Sequence, residues 1–152
     1  MIENAKAIGW LNSGIFPVTT LFTCGYNHEE VIKKLKQAKR RTSKHNPKIV
    51  QEWIDVVSFE DCEEMYSDGR DFCQKVKTVN NKTGRDVDYF LIVLTESFNS
   101  TREDWLILTH EITHLCQFVL PEFLDRDKEH EAEAYHHNHI MSQCLDLLEL
   151  YK

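Results

Sequence analysis

Residues 89–115 read YFLIVLTESFNSTREDWLILTHEITHL, and both types of secondary structure expected in this chain meet there. The first six residues are apolar and rich in β-branched and aromatic side chains, which favours a buried strand. The polar residues that follow contain two pairs with the spacing of a capping box, in which two side chains close the start of a helix. These pairs are Ser100 with Glu103 and Thr101 with Asp104. The spacing predicts a helix from about Thr101 to Phe118 that ends before Pro121.

This predicted helix carries the motif His110-Glu111-Ile112-Thr113-His114. At about 100° per residue, one apolar stripe of the helix is expected to face the core. The stripe consists of Trp105, Leu108, Ile112, Leu115 and Val119. His110 and His114 lie roughly opposite it and one turn apart, where two imidazoles can both reach one tetrahedral ion at ~2.0–2.1 Å. Glu111 projects from a neighbouring angle, which suits it to a water molecule on that ion better than to the ion itself. The pattern indicates that the histidines bind a metal and that the glutamate transfers protons.

The remaining segments predict a sheet with one helix, followed by a second long helix. Strands are expected at residues 17–24 and 53–57, and residues 72–79 and 86–95 are expected to form a hairpin around the polar turn 80–85. Asn27 is placed to cap a helix that begins at His28, with Val31, Leu35 and Ala38 facing inward. The last helix is expected to begin near Asp125 or Asp127. Together these elements predict one α+β domain over residues 1–152, with a mixed N-terminal sheet, an active-site helix and a C-terminal helix.

Length and charge narrow the class of protein. A chain of 152 residues is long enough for one domain with a core of its own. The formal net charge of −7 argues against a nucleic acid or an anionic membrane as the main partner. The basic stretch 33–48 is expected to be a solvated helix face and loop. A docking patch for an acidic partner is the alternative interpretation of that stretch.

Cysteine usage and the start of the chain bear on location. The five cysteines are odd in number and have no CxxC pair, which argues against a disulfide framework and a cysteine zinc site. They are expected to behave as small buried apolar residues in a reducing compartment. The first residues lack the basic and apolar regions of a signal peptide, and no run of eighteen apolar residues could span a membrane. The expected location is the cytoplasm.

Residues 93–115 resemble the strand, loop and active-site helix of zincin metallopeptidases, and the helix after them is similar to that of the gluzincin branch. The resemblance covers about Tyr89 to Met141, and the size of the chain resembles that of minimal zincins from bacteria and phages. It implies a small zincin-like domain with zinc as its cofactor and a peptide or protein as its substrate. The metzincin branch is excluded because Gln117 and Leu120 stand where its motif has glycine and histidine.

In gluzincins the third metal ligand is a glutamate on the second helix, which tends to carry Glu-x-x-Ala. This chain has two overlapping copies, Glu129 with Ala132 and Glu131 with Ala134. The residues expected to face inward on this helix are Met141, Cys144, Leu145 and Leu148. Helical angles place Ala134 within that stripe, and a small residue allows close approach of two helices only where it faces the partner. Glu131 is therefore the preferred third ligand, with Glu133, Glu129 and His130 as alternatives.

The combined interpretation is a zinc-dependent metallopeptidase. His110, His114 and Glu131 bind the zinc ion, and Glu111 activates a zinc-bound water and then protonates the leaving amine. If the strand at residues 88–95 is an edge strand, its backbone could hold an extended peptide as an added strand. Tyr135, His136, His137 and His139 could line the site or form an exposed polar surface.

Two other functions are compatible with the same residues. The first is a zincin-like protein that keeps the metal, does not turn over substrate and binds a partner, with His130, His136 or His137 closing the ligand set. The second is a helical interaction domain without metal.

Overall fold

The computed structural model describes residues 3–14, 16–31, 33–34, 71–79, 84, 86–125 and 130–149. Several predictions fall outside these residues. They concern the strand at 53–57, the inward-facing Leu35 and Ala38, most of the turn 80–85, most of the basic stretch 33–48, and Glu129.

Four strands form one mixed sheet in the order β1-β2-β4-β3. The strands are β1 (Ala7–Ser13), β2 (Phe16–Cys24), β3 (Phe72–Val79) and β4 (Asp86–Leu94). β1 and β2 are an antiparallel pair that turns at Gly14, whose φ of 69° lies in the left-handed region that favours glycine. β2 pairs with β4 in parallel, and β3 pairs with β4 in antiparallel fashion. The strand expected at residues 17–24 and the hairpin of residues 72–95 are confirmed, whereas β1 was not among the predicted strands.

β4 lies in the interior of the sheet. It pairs with β2 on one side and with β3 on the other, so it is not an edge strand, and the condition for binding an extended peptide along it is not met. Residues 89–94 are all buried, because both faces of this strand are covered, and such a strand reads as one continuous apolar run. Among the described strands, β1 and β3 are the outer ones.

Within the described residues, three helices accompany the sheet. α1 begins at residue 28 and is described for residues 28–31 and 33–34, α2 is Arg102–Val119, and α3 is His130–Leu147. Asn27 caps α1 as expected, because its Oδ1 accepts a hydrogen bond from the backbone N–H of Glu30 at 2.9 Å. Of the two possible capping boxes of α2, the structure has Thr101 with Asp104, where Oγ1 accepts from the backbone N–H of Asp104 at 3.1 Å. α2 ends before Pro121, as the sequence predicts, and a short 3-10 turn that contains Pro121 follows it.

The helices cover both faces of the sheet. The larger apolar cluster lies between one face and helices α2 and α3, and it includes Phe22, Phe90, Ile92, Leu108, Ile112, Leu115, Ile140 and Cys144. On the other face, Val31 of α1 packs with Leu21, Tyr89, Leu91 and Val93. The mixed α+β class is thus confirmed. Within the described residues, no helix is long and apolar enough to cross a membrane.

The predicted apolar stripe of α2 is correct except at its start. Leu108, Ile112, Leu115 and Val119 are buried. Trp105 is 37% exposed, because it lies in the first turn of the helix and packs edge-on against Phe98 with ring centroids 5.1 Å apart. The expectation that Trp105 belongs to the core is therefore wrong.

The described cysteines behave as small apolar residues. Cys24, Cys116 and Cys144 are buried free thiols, and Cys73 is half-buried. Burial raises the pKa of the Cys24 and Cys73 thiols to about 12, so both stay protonated and neutral. Cys62 lies outside the described residues.

Candidate metal centre

α2 brings the two motif histidines together on its exposed side. The Nε2 atoms of His110 and His114 are 3.0 Å apart, and the ring planes are inclined at 89° with centroids 4.5 Å apart. Two nitrogens bound to one tetrahedral zinc ion at ~2.0–2.1 Å are separated by about 3.3 Å. The two Nε2 atoms are therefore close enough together to be ligands of one metal ion.

The ring of His114 is held by two neighbours on the same helix. Its Nδ1 lies 3.1 Å from Oε1 of Gln117, and the Phe118 ring stacks beside it with centroids 6.4 Å apart. His114 is half-buried, whereas His110 is exposed. The orientation of the His114 ring is thus constrained on two sides.

Glu111 is turned away from solvent toward β3. Only 6% of it is exposed, and burial raises the pKa of its carboxyl group. The imidazoles of His110 and His114 lower this pKa in part, and the carboxylate of Asp71 raises it further. The pKa of the Cys73 thiol on β3 is raised by burial and then by Glu111, so the two side chains are neighbours. A carboxyl group that holds its proton more tightly than usual is suited to accept and return a proton near neutral pH.

The start of α3 has a different orientation from the one expected. Met141 is half-buried and Cys144, Leu145 and Leu148 are buried, so the inward stripe at the end of the helix is confirmed. Ala134, however, is exposed and Ala132 is half-buried, so the expectation that Ala134 faces inward is wrong.

The error has a geometric cause. The buried row of α3 runs through residues spaced by four, namely His136, Ile140, Cys144 and Leu148. At about 100° per residue, such a row drifts around the helix by about 40° at every step. The sequence-based prediction assumed that the buried face stays at one angle along the helix, and at that angle the residue near the start is Ala134. In the structure the buried row has drifted by then, so Ala132 is the half-buried alanine.

This orientation changes the basis for choosing a third ligand. Glu131 is exposed and Glu133 is half-buried, and Glu129 lies outside the described residues. Within the part of the chain that the structure describes, no group of three His, Cys, Asp or Glu side chains could hold a metal ion. The ligand role of Glu131 stays a prediction, but the inward position of Ala134 no longer supports it.

His136 is a buried polar residue that links three elements. Its Nδ1 lies 3.2 Å from Sγ of Cys116 on α2, and its Nε2 lies 3.0 Å from Oγ of Ser13 on β1. Burial lowers its pKa to about 4, and the nearby charges of His139 and His137 act in the same direction. Sequence reasoning missed this link, although the four-residue spacing from His136 to Ile140 is the signal that could have found it.

The other residues of this cluster differ in exposure. Nε2 of His139 lies 2.9 Å from Oδ1 of Asn12 on β1, His137 is half-buried and Tyr135 is 71% exposed. His136 and His139 are thus directed at β1.

Comparisons with protein-family models, with curated proteins and with solved structures found no match for this chain. The resemblance to zincins therefore depends on the motif and its position after a strand and a capped helix start. The zincin-like fold remains a prediction.

Proposed function

We propose that this chain is a zinc-dependent metallopeptidase, with His110 and His114 as two zinc ligands and Glu111 as the catalytic base. The observation that carries the proposal is the pair of Nε2 atoms 3.0 Å apart beside a buried carboxyl group. Two unrelated surface histidines would not account for the short distance between the Nε2 atoms. A purely structural metal site would not account for the buried glutamate between the two histidines.

The chemistry divides between the metal and Glu111. When bound, zinc polarises the carbonyl group of a peptide bond and lowers the pKa of a water molecule to about 7. Glu111 accepts the proton of the attacking water and delivers it to the departing amine. The raised pKa of Glu111 supports this role, because the carboxyl group retains the proton more readily between the two transfers than an exposed glutamate does.

The third ligand is expected near the start of α3, with Glu131 as the candidate preferred from sequence and Glu133, Glu129 and His130 as the alternatives. The Glu-x-x-Ala rule requires the alanine to lie on the buried side of the helix, and the half-buried alanine is Ala132. The copy that satisfies the rule is therefore Glu129 with Ala132. Each glutamate is replaced singly by glutamine, and we expect Glu129→Gln to lose the most zinc. A larger loss in Glu131→Gln would restore the ligand that the sequence alone favoured.

Substitution of the base separates metal binding from turnover. We expect Glu111→Gln to keep its zinc and to cleave a peptide library about 10²–10⁴ times more slowly than the parent protein. The matched control is Glu103→Gln, an exposed glutamate in the first turn of the same helix, which should cleave at the parent rate. Cleavage by Glu111→Gln at the parent rate would show that Glu111 is not the base.

Substitution of the ligands tests the metal site itself. His110→Ala and His114→Ala should each lose zinc, measured by mass spectrometry of the protein purified in zinc-containing buffer. His28→Ala, at the start of α1, is the control and should keep it. A parent protein that binds zinc but cleaves no peptide would favour the partner-binding alternative over the peptidase.

A further inference from the structure

Gln117 is one turn after His114 on α2 and contacts the ring atom that faces away from His110. Its Oε1 lies 3.1 Å from Nδ1 of His114, while Nε2 of His114 is the atom 3.0 Å from Nε2 of His110. The two nitrogens of one ring therefore have different partners. One is directed at an amide oxygen and the other at the proposed metal position.

This arrangement determines where the ring carries its hydrogen. An amide oxygen only accepts hydrogen bonds, so Nδ1 of His114 must donate to Gln117. A neutral imidazole has a single N–H, so Nε2 carries no hydrogen and keeps its lone pair. That lone pair faces Nε2 of His110, and an unprotonated Nε2 is the state that a metal ligand requires.

The tautomer of His110 is not fixed by a hydrogen bond of this kind. Among the described residues, no hydrogen bond to Nδ1 of His110 is observed, and its Nε2 is the only ring atom with a partner. In the metal-free protein, Nε2 of His110 therefore supplies the hydrogen that lies between the two rings. Of the pair, His114 is already in the ligand form, and His110 must move its proton to Nδ1 when a cation binds.

We propose that Gln117 is a positioning residue of the metal centre, which holds His114 in the tautomer that offers Nε2 to a divalent cation. This inference rests on the proposed metal site but not on peptide hydrolysis. Partners of this kind fix the orientation and the tautomer of metal-bound histidines, and their loss typically weakens metal affinity by about 10–100-fold.

The test uses three variants of the full chain. Gln117→Met keeps the length of the side chain but removes the acceptor oxygen, and Gln117→Glu keeps an acceptor oxygen in a similar place. Glu103→Met, an exposed position in the first turn of α2, is the control for adding an exposed methionine to this helix. Two quantities are measured, namely the zinc affinity by competition with a chelator, and the ¹⁵N chemical shifts of the His114 ring in metal-free protein in mildly alkaline buffer.

We expect the parent protein and Gln117→Glu to show Nδ1–H of His114 as the dominant tautomer and to bind zinc with similar affinity. Gln117→Met should show a mixture of tautomers and bind zinc about 10-fold more weakly or worse. Glu103→Met should match the parent in both measurements. An effect on folding alone would change the affinity without changing the tautomer, so the spectrum separates the two explanations.

Different results overturn different statements. If Gln117→Met binds zinc like the parent, or keeps the Nδ1–H tautomer, Gln117 has no positioning role even in an active peptidase. If the parent binds zinc and Gln117→Met binds it more weakly with an altered tautomer, the inference holds even where no peptide is cleaved. A parent protein that binds no zinc overturns both the metal centre and the role of Gln117.

Discussion

Glu111 is a buried acid, and its burial affects stability as well as chemistry. Burial raises the pKa of its carboxyl group, so the folded state takes up the proton more readily than the unfolded chain. A group of this kind stabilises the fold below its unfolded pKa and loses that contribution as the pH rises through the folded value. Once ionised, the buried carboxylate therefore lowers the free energy of unfolding relative to a neutral amide of the same shape.

We expect Glu111→Gln to raise the free energy of unfolding of the metal-free protein, at a pH where the parent carboxyl group is ionised, by about 0.5–2 kcal/mol, the common range for a single stabilising substitution. Urea denaturation measures the change. The advantage should shrink as the pH falls, because the parent carboxyl group then becomes neutral too. Glu103→Gln, which is exposed, should leave the midpoint unchanged, and a lower midpoint for Glu111→Gln would contradict the prediction.

At the scale of elements, α3 packs on β1 at Gly9, where the Leu147 side chain occupies the space that a larger residue would fill. A Cβ atom added at Gly9 would lie 2.6 Å from Cδ2 and 2.8 Å from Cδ1 of Leu147, which is too close for real contacts. We expect Gly9→Ala to destabilise the fold by about 1 kcal/mol or less, because the atoms in the way are the far end of the half-buried Leu147 side chain, which can turn aside. In the double variant Gly9→Ala/Leu147→Ala the space is restored, so the two effects should not add. Urea denaturation of the four proteins in this cycle gives the coupling, and additive effects would show that β1 and α3 do not meet at this contact.

The two long helices also show what element-level patterns determine. α2 was predicted within one residue at each end because its signals are local, with a capping box at its start and Pro121 after its end. The phase of α3 was correct around Cys144 and wrong at Ala134, because the buried row depends on the surfaces that the helix crosses. The local sequence shows the periodicity of a helix, but it does not show how the neighbouring elements cross that helix. The same limit explains why His136 was left open between a wall of the site and an exposed surface.

At the scale of the whole molecule, topology was the least predictable feature. The β3–β4 hairpin is close in sequence and was expected, whereas the parallel pairing of β2 with β4 joins distant segments and places β4 in the interior. The apolar run at residues 89–94 is the sequence sign of a strand covered on all sides. The motif residues His110, Glu111 and His114 were found without topology, because their spacing lies within one helix.

The hydrogen-bonded chain Ser13–His136–Cys116 ties β1, α3 and α2 together, and it makes the stability of the whole domain depend on pH. His136 has a folded pKa of about 4 against an ordinary value of 6.5, because burial disfavours its charged form. Its contribution to stability is therefore fully present above pH 6.5, is lost as the pH falls toward 4, and is constant below that. At 1.36 kcal/mol for each pH unit between these values, the loss is at most about 3.4 kcal/mol.

We expect the parent protein to lose this free energy of unfolding between neutral pH and pH 4, measured by urea denaturation at several pH values. His136→Leu should have a lower free energy of unfolding at neutral pH, because Ser13 and Cys116 lose the hydrogen bonds to this ring. On acidification it should lose less free energy of unfolding than the parent protein, because it has no imidazole to protonate at this position. The difference between the parent protein and His136→Leu therefore has to narrow on acidification, since other groups titrate in both. A constant difference would mean that His136 is not buried as a neutral ring between the three elements.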